Sequence, residues 1–238
     1  MKTIHNIKSI LFFFLLGAFL HDTSPAQVIT TYPYGLIPLD TNAYKLRNDS
    51  TGKNTYLIPV CGIRDNIRCD LKYATKDNFT GIELYSIGVA YLAKEVAQAL
   101  SEAAEELEKA GYGLVIWDAY RPYSVTIRFW ELIGNEDYVA HPSKGSRHNR
   151  GCAVDVALYD IKSKQVVDLP TTFDHFGPEA AANALCSSEL KCNNRDVLIS
   201  TMQRHGFNVL ASEWWHFDFT GWEDFPVMDV PLEWLVHQ

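Results

Sequence analysis

The sequence lacks clusters of lysine and arginine, internal repeats and low-complexity stretches. Its 21 basic and 29 acidic residues give the 238-residue chain a formal net charge of −8. Because the phosphates of nucleic acids require a basic footprint, this charge pattern argues against a nucleic-acid partner. It does not exclude a small cationic group on a substrate. The length suits one domain, or one domain with an export segment.

The N-terminus carries a hydrophobic run that is too short for a comfortable membrane span. Lys2 and Lys8 accompany the apolar stretch Ile10–Leu20, and the small residues Ser24–Ala26 follow it. This order is typical of a secretory signal peptide. We therefore predict that residues 1–26 are a signal peptide, that residues 27–238 form one domain and that the mature protein has no stable membrane insertion. An uncleaved anchor is the alternative.

The chain has few cysteines, and their number, five, is odd. Export to an oxidising compartment permits disulfides. Cys61 and Cys69 lie close in sequence, as do Cys186 and Cys192, and we predict these two pairs, although four cysteines allow three connectivities. Cys152 is left over and is expected to be a small core residue.

The hydrophobic pattern predicts both helices and strands. Apolar residues recur at helical spacing over Ser86–Ala110, and Gly111 is placed to end that helix. The apolar run Leu114–Trp117 predicts a short buried strand. Further strands are expected over 153–158, 207–210 and 216–219, and further helices from Ser124 to about Ile133 and from Asn193 or Asn194 to His205. Because helices and strands do not alternate regularly, we predict an α+β domain with a mostly antiparallel central sheet flanked by helices.

Two residues of the types that bind zinc, His148 and Asp155, lie in the same segment. A straight strand would separate them by roughly 23 Å at about 3.3 Å per residue, so both can bind one ion only if the chain turns. Gly151 can adopt the positive φ of such a turn. In the strand that follows, Cys152 alternates to the face opposite Asp155, which argues against Cys152 as a ligand.

A second pair, Glu213 and His216, lies three residues apart. The two side chains share a face only if the backbone makes a helical turn or a bulge. A glutamate beside a histidine ligand is the usual relation of a general base to zinc, because it takes a proton from water without binding the metal. An exposed Glu213 and a packed His216 are the alternative.

Together, His148, Asp155 and His216 supply three ligands and leave a fourth position for water. This arrangement is typical of catalytic zinc, whereas a structural site more often uses four Cys or His ligands. We therefore predict one zinc ion per chain, held at the sheet. Arg121 follows a buried strand, where its guanidinium can face a developing oxyanion. A salt bridge from Arg121 to Asp118 or another carboxylate is the alternative.

Five segments spread over most of the mature chain form a further pattern: Asp70–Thr75 (DLKYAT), Asn78–Gly81 (NFTG), Gly111–Pro122, Ser146–Asp155 (S-x-H-x-x-G-x-A-x-D) and Glu213–His216 (E-x-W-H). This pattern resembles the D-alanyl-D-alanine dipeptidases, the zinc peptidase family that includes the vancomycin-resistance dipeptidase. The last two segments also occur in D,D-carboxypeptidases. The D-A-Y-R-P form and the pair Phe173-Asp174 point to the dipeptidase branch.

The resemblance implies a role for each candidate residue. It implies that the zinc ligands are His148, Asp155 and His216, that Glu213 is the catalytic base and that Arg121 stabilises the oxyanion. It also implies that Asp174 meets the α-ammonium of a small dipeptide substrate, in a pocket lined by Tyr73 and Ser146.

The function that follows is zinc-dependent hydrolysis of D-alanyl-D-alanine-type dipeptides by residues 27–238. Because the chain carries an export signal, unlike the cytoplasmic resistance enzymes, we expect it in the periplasm, in turnover or salvage of wall-derived dipeptides. A D,D-carboxypeptidase acting on peptidoglycan stem peptides is the alternative. A further alternative is a binding module that binds the metal without catalysis. The presence of Glu213 and Arg121 argues against it, because metal binding alone requires neither residue.

Overall fold

The computed structural model describes residues 32–47, 56–136 and 138–237. The predicted signal peptide, residues 1–26, lies outside these residues. Within the described part of the chain, no helix combines the length and the apolar character needed to cross a membrane.

Helices and strands are mixed along the chain, as the sequence predicts. The helices are α1 (Thr41–Leu46), α2 (Lys94–Lys109), α3 (Tyr123–Ile133), α4 (Glu189–Arg204) and α5 (Leu232–Leu235). The strands are β1 (Leu57–Pro59), β2 (Ile67–Cys69), β3 (Tyr91–Ala93), β4 (Tyr112–Asp118), β5 (Ala153–Asp160), β6 (Phe207–Leu210) and β7 (Glu213–Phe219).

The central sheet has five strands in the order β2-β4-β5-β7-β6. Only the pair β2–β4 is parallel, and the other three pairs are antiparallel. A separate two-stranded sheet pairs β1 with β3. The predicted α+β domain with a mostly antiparallel sheet is confirmed. The centre of the sheet matters for function, because β5 and β7 place Asp155 directly opposite His216.

Helix α2 packs its apolar face into the core, but it begins later than predicted. It starts at Lys94 rather than Ser86, because Tyr91–Ala93 pairs with β1 as a strand. Leu92 and Ala93 are fully buried there, so apolar spacing that suggested a helix belongs to an extended segment. Gly111 ends the helix as expected, with φ of +86° and its N–H bonded to the carbonyl of Glu108.

The starts of α3 and α4 differ from the predicted ones. Ser124 lies inside α3 rather than at its cap, and its N–H donates to the carboxylate of Asp229 at 2.9 Å. Helix α4 is capped by Ser188, so Asn193 and Asn194 lie within it. A helix end is completed by whichever acceptor reaches its free N–H groups, and a distant acceptor leaves no local pattern.

Both predicted disulfides are present. Cys61 is bonded to Cys69, and Cys186 is bonded to Cys192. Cys152 is buried and outside the disulfides, as expected for a core residue. The first disulfide joins β2 to the loop after β1 and so ties the two sheets together.

Candidate active site

His148 lies in a short 3₁₀ turn that ends at Gly151, whose φ is +66°. A Cβ atom on Gly151 would lie 2.7 Å from Leu57 Cδ2 and 2.9 Å from Ala93 N. Both the positive φ and the close backbone therefore require glycine at this position. The turn reverses the chain and brings Asp155, on β5, back to His148. The turn that the sequence predicts between the two residues is confirmed.

His148, Asp155 and His216 form one buried cluster. His148 Nε2 lies 3.2 Å from His216 Nδ1, and His216 Nδ1 lies 3.0 Å from Asp155 Oδ1. His148 Nε2 lies 3.6 Å from Asp155 Oδ2. Tetrahedral zinc at about 2.0–2.2 Å from each donor spaces its ligand atoms roughly 3.4 Å apart. The spacing and the two imidazoles with one carboxylate therefore fit zinc.

The charges in this cluster suit a cation. Burial acts to raise the pKa of Asp155, but His148 and His216 outweigh it and hold that pKa below its usual value. Burial acts to lower the pKa of His216, but hydrogen bonds with Asp155 and Asp218 outweigh it and raise the pKa to about 10. The surroundings thus stabilise a positive charge between these side chains, which is the environment that a divalent ion requires.

Glu213 reaches the cluster through a β-bulge. Strands β6 and β7 pair Val209 with Phe217, but the next residue, Leu210, pairs with Glu213. This shift brings Glu213 Oε2 to 4.0 Å from His216 Nδ1. Burial raises the pKa of the Glu213 carboxyl above its ordinary value. Of the two arrangements that would bring Glu213 and His216 to one face, a helical turn or a bulge, the structure has the bulge.

Arg121 lines the site while it is held by Asp118. Its Nε and Nη2 donate to Asp118 Oδ2 at 3.2 and 2.6 Å, and Asp118 Oδ1 accepts from the hydroxyl of Tyr85 at 2.7 Å. The guanidinium lies 4.5 Å from the ring centroid of Phe129 and 5.5 Å from that of Tyr73. Arg121 therefore both forms the salt bridge with Asp118 and lines the pocket, so the two predicted alternatives coexist.

Asp174 and Tyr73 meet at the wall of the site. The hydroxyl of Tyr73 donates to the carboxylate of Asp174, with its two oxygens at 3.1 and 3.0 Å. Asp174 has φ of +54°, which a non-glycine residue rarely adopts. Burial, together with the negative charge of Asp155, raises the pKa of Asp174 to about 8. A cationic group placed against Asp174 would favour its charged form.

One cavity of about 480 Å³ is lined by all eight of the candidate residues named from the sequence. Ser146 is held at its wall by two hydrogen bonds: its N–H donates to Asn149 Oδ1, and its hydroxyl accepts from the N–H of His148. Asn149 also donates to the carbonyl of Arg121 at 2.8 Å. One asparagine therefore links the two segments that bear Ser146 and Arg121.

Residues next to Glu213, His216 and Asp174 in the chain divide between core, cavity and surface. Trp214 is fully buried, and its Nε1 donates to Thr171 Oγ1 at 2.9 Å, whereas Trp215 lines the cavity. His175, next to Asp174 in the chain, is exposed and pairs with Glu179. One of the two adjacent tryptophans is therefore a core residue, and the other contributes to the site.

Two further carboxylates, Asp118 and Asp218, contact the candidate residues. Asp118 is the buried partner of Arg121, and Asp218 accepts a hydrogen bond from His216 Nε2 at 2.9 Å. Asp218 follows His216 by two residues in a strand, a spacing that places both on one face. That spacing is a signal in the sequence. No spacing in the sequence indicates the contact between Asp118 and Tyr85.

Comparison with known proteins identifies related sequences. Residues 53–231 match the M15 peptidase family, described as D-ala-D-ala dipeptidase. The D-alanyl-D-alanine dipeptidase of Escherichia coli K12 is 31% identical over 174 residues, which cover 73% of this chain and 90% of that protein. The enzyme of the same name from Enterococcus faecium is 34% identical over 173 residues, which cover 63% of this chain and 85% of that protein.

Similarity to solved structures is weaker. The structure of the vancomycin-resistance D,D-dipeptidase VanXYg with a D-Ala-D-Ala phosphinate analogue is 17% identical, and the match covers 70% of this chain and 67% of that chain with a TM-score of 0.38. The family is therefore identified by the sequence matches and not by this similarity.

Proposed function

The chain belongs to the M15 family of D-ala-D-ala dipeptidases, which are zinc metallopeptidases, and on that premise we propose that it hydrolyses free D-alanyl-D-alanine-type dipeptides with one zinc ion per chain. In this proposal His148, Asp155 and His216 hold the ion and Glu213 is the general base. Arg121 stabilises the oxyanion, and the substrate is bound by Asp174, Tyr73 and Ser146.

The observation that carries the substrate proposal is the position of Asp174. Its half-buried carboxylate lines the same cavity as His148, Asp155 and His216. A free dipeptide carries its ammonium on the same residue whose carbonyl group is attacked. A hydrogen bond between such charged groups contributes about 1.5–3 kcal/mol. An N-acylated peptide lacks that charge, and so the cavity favours the free dipeptide.

The side chains around the metal cluster supply the proton transfers. When bound, zinc lowers the pKa of water and polarises a carbonyl group. Glu213 accepts the proton of the attacking water and then delivers it to the departing amine. Its raised pKa suits both roles, because a general base that must later act as an acid works best with a pKa near the operating pH.

Arg121 stabilises the negative charge that develops on the carbonyl oxygen. A guanidinium has five N–H donors, and the ion pair with Asp118 uses two of them. The remaining donors can therefore face the substrate. Because Asp118 and the rings of Phe129 and Tyr73 fix the guanidinium, little reorganisation accompanies the charge development.

Tyr73 and Ser146 complete the dipeptide pocket. Tyr73 holds the Asp174 carboxylate in one orientation through its hydroxyl. Ser146 lines the cavity next to His148, and its hydroxyl oxygen already accepts from the N–H of His148, so its own hydrogen is directed elsewhere. That hydrogen is available to a carboxylate of the substrate.

We further propose that the enzyme is exported, to the periplasm, with residues 1–26 removed as a signal peptide. The two disulfides support this proposal, because such bonds persist in oxidising compartments. A role in turnover or salvage of dipeptides from the cell wall follows. N-terminal sequencing of the protein recovered from a periplasmic extract tests it, and an intact Met1 in a cytoplasmic fraction would contradict it.

One observation favours the alternative of a D,D-carboxypeptidase. A second cavity, of about 630 Å³, shares Phe79 and Asp174 with the first. A stem peptide longer than a dipeptide could extend into this space if Asp174 were not an obstacle. The two functions therefore differ in whether Asp174 closes the pocket or only borders it.

A substrate comparison decides between the two functions. Zinc-reconstituted protein is offered free D-Ala-D-Ala, its N-acetyl derivative and a stem pentapeptide that ends in D-Ala-D-Ala, with kcat/KM measured for each. We expect the free dipeptide to be cleaved far faster, by at least about tenfold for each 1.4 kcal/mol of lost binding. Equal rates on the pentapeptide and the dipeptide would refute the dipeptidase proposal and favour the carboxypeptidase.

A further inference from the structure

The two histidines of the metal cluster present different ring nitrogens and have different outer partners. His148 directs Nε2 to the cluster, and its Nδ1 lies 2.7 Å from the carbonyl oxygen of Ala119. His216 directs Nδ1 to the cluster, and its Nε2 lies 2.9 Å from Asp218 Oδ1. The outer nitrogen of His148 thus bonds to a neutral carbonyl, with Asp118 Oδ2 farther away at 3.7 Å, whereas the outer nitrogen of His216 bonds directly to a carboxylate.

We propose that Asp218 is a positioning residue that holds His216 with Nδ1 toward the metal and strengthens its bond to zinc. The inference rests on the zinc site of the proposed function. A carboxylate that accepts the outer N–H of a ligating imidazole selects the nitrogen left for the metal and makes the imidazole more basic. The carbonyl of Ala119 orients His148 but carries no full charge.

The strand geometry explains why Asp218 accompanies His216. Both lie in β7, two residues apart, and therefore on the same face of the strand. The neighbouring strands pair Asp218 with Ala153 and Asn208, so the backbone on both sides is fixed. Asp218 is buried, with 8% of its surface exposed. Its contact with His216 is therefore built into the central sheet.

Asp218 is itself oriented by a second contact. Its Oδ2 lies 3.5 Å from Arg147 Nε, whereas its Oδ1 accepts from His216. The guanidinium of Arg147 lies 5.0 Å from the ring centroid of Trp222, which limits its movement. Because the two oxygens have different partners, rotation of the carboxylate would break both contacts. This arrangement suits a residue whose task is to fix the orientation of a ring.

Two variants of Asp218 separate its charge from its acceptor oxygen. Asp218→Asn keeps an oxygen that can accept from His216 Nε2 and removes the charge, whereas Asp218→Ala removes both. Zinc dissociation constants are measured by competition with a chromogenic chelator, and the His216 Nε2–H resonance of the zinc-loaded protein is followed by ¹⁵N–¹H NMR. Asn208→Ala is the matched control, because Asn208 is the exposed partner of Asp218 across the sheet.

We expect Asp218→Ala to weaken zinc binding by about 10–100-fold and to abolish the Nε2–H resonance. Asp218→Asn should keep the resonance and lose less affinity, and Asn208→Ala should bind zinc as the unaltered protein does. Wild-type affinity in both Asp218 variants would overturn the inference. If Asp218→Ala does not fold, Asp218→Asn decides alone: weaker zinc binding with an unchanged melting temperature of the metal-free protein supports the inference, and wild-type affinity overturns it.

Zinc affinity is measured without substrate, and so this inference can fail separately from the proposed function. A protein whose zinc affinity depends on Asp218 but that does not cleave D-alanyl-D-alanine would refute the proposed function and support the inference. A protein that cleaves the dipeptide with a zinc affinity independent of Asp218 would support the proposed function and refute the inference.

Discussion

Tyr73 and Asp174 lie 101 residues apart and are joined by a hydrogen bond in which the phenol faces both carboxylate oxygens, at 3.1 and 3.0 Å. Tyr73 is buried and packs against Phe129, with ring centroids 4.8 Å apart. The phenol is therefore fixed, and it fixes the plane of the carboxylate. A group oriented in advance loses little entropy when a ligand binds, so this pair is suited to select a substrate ammonium.

Asp174→Asn should lower kcat/KM for free D-Ala-D-Ala much more than for the N-acetyl dipeptide, because only the free dipeptide has an ammonium to lose. A charge-assisted contact of about 1.5–3 kcal/mol corresponds to a loss of roughly 10- to 150-fold. Steady-state kinetics on both substrates measure the difference. Asp168→Asn, an exposed neighbour, is the control. An equal loss on both substrates would show that Asp174 supports the fold or the metal cluster instead.

Glu213→Gln should keep zinc and lose nearly all turnover. The amide has the shape of the carboxylate but cannot accept the proton of the attacking water. General-base catalysis contributes about 10²–10⁴-fold, so kcat should fall at least that far. Zinc content is measured on the same preparation, and Glu83→Gln at the surface is the control. A kcat close to that of the unaltered protein would show that Glu213 is not the general base.

Arg121→Lys should lower kcat by about 10²–10³-fold, the usual loss of an oxyanion donor, with little change in KM. An ammonium keeps the charge but cannot reproduce the planar fork that binds Asp118. Arg128→Lys, exposed on α3, is the matched control. If kcat/KM falls mainly because KM rises, and kcat falls only a few-fold, Arg121 binds the ground state of the substrate.

Removal of the metal should abolish activity, and one zinc ion per chain should restore it. The prediction follows from the three clustered donors of His148, Asp155 and His216. Metal analysis by mass spectrometry, with activity measured during stepwise return of zinc to chelated protein, gives the stoichiometry. Full activity at a zinc content near zero would contradict it, as would a requirement for two ions.

Gly151→Ala should destabilise the fold and loosen the cluster. The left-handed conformation costs an alanine about 1–2 kcal/mol, and its Cβ would also press on the backbone nitrogen of Ala93 at 2.9 Å. Thermal unfolding with and without zinc measures the effect. Gly62 has φ of +74° and no atom within 4 Å of an added Cβ, so Gly62→Ala measures the cost of the left-handed conformation alone. Equal losses in the two variants would show that the contact with Ala93 does not matter.

Local patterns in the sequence determine much of this protein. The apolar spacing predicts α2 and β4, the glycines at 111 and 151 mark a helix end and a tight turn, and cysteines that are close in sequence form the disulfides. The residue types and spacing of His148, Asp155, His216 and Glu213 predict zinc chemistry. The helix, strand, turn and disulfide features depend on interactions between residues near one another in the chain, and so they can be inferred without the fold. The zinc ligands are indicated by their residue types, because His148 and His216 lie 68 residues apart.

The tertiary structure alone decides which distant side chains meet. It joins Tyr85 to Asp118 and Tyr73 to Asp174, and it brings Asp229 to the start of α3. It also converts part of an apparent helix into β3, because a partner strand is available there. Such contacts depend on strand order, register and bulges, which are set by packing of the whole domain. A one-residue change of register would turn the side chains of a central strand, such as Asp155 on β5, to the other face of the sheet.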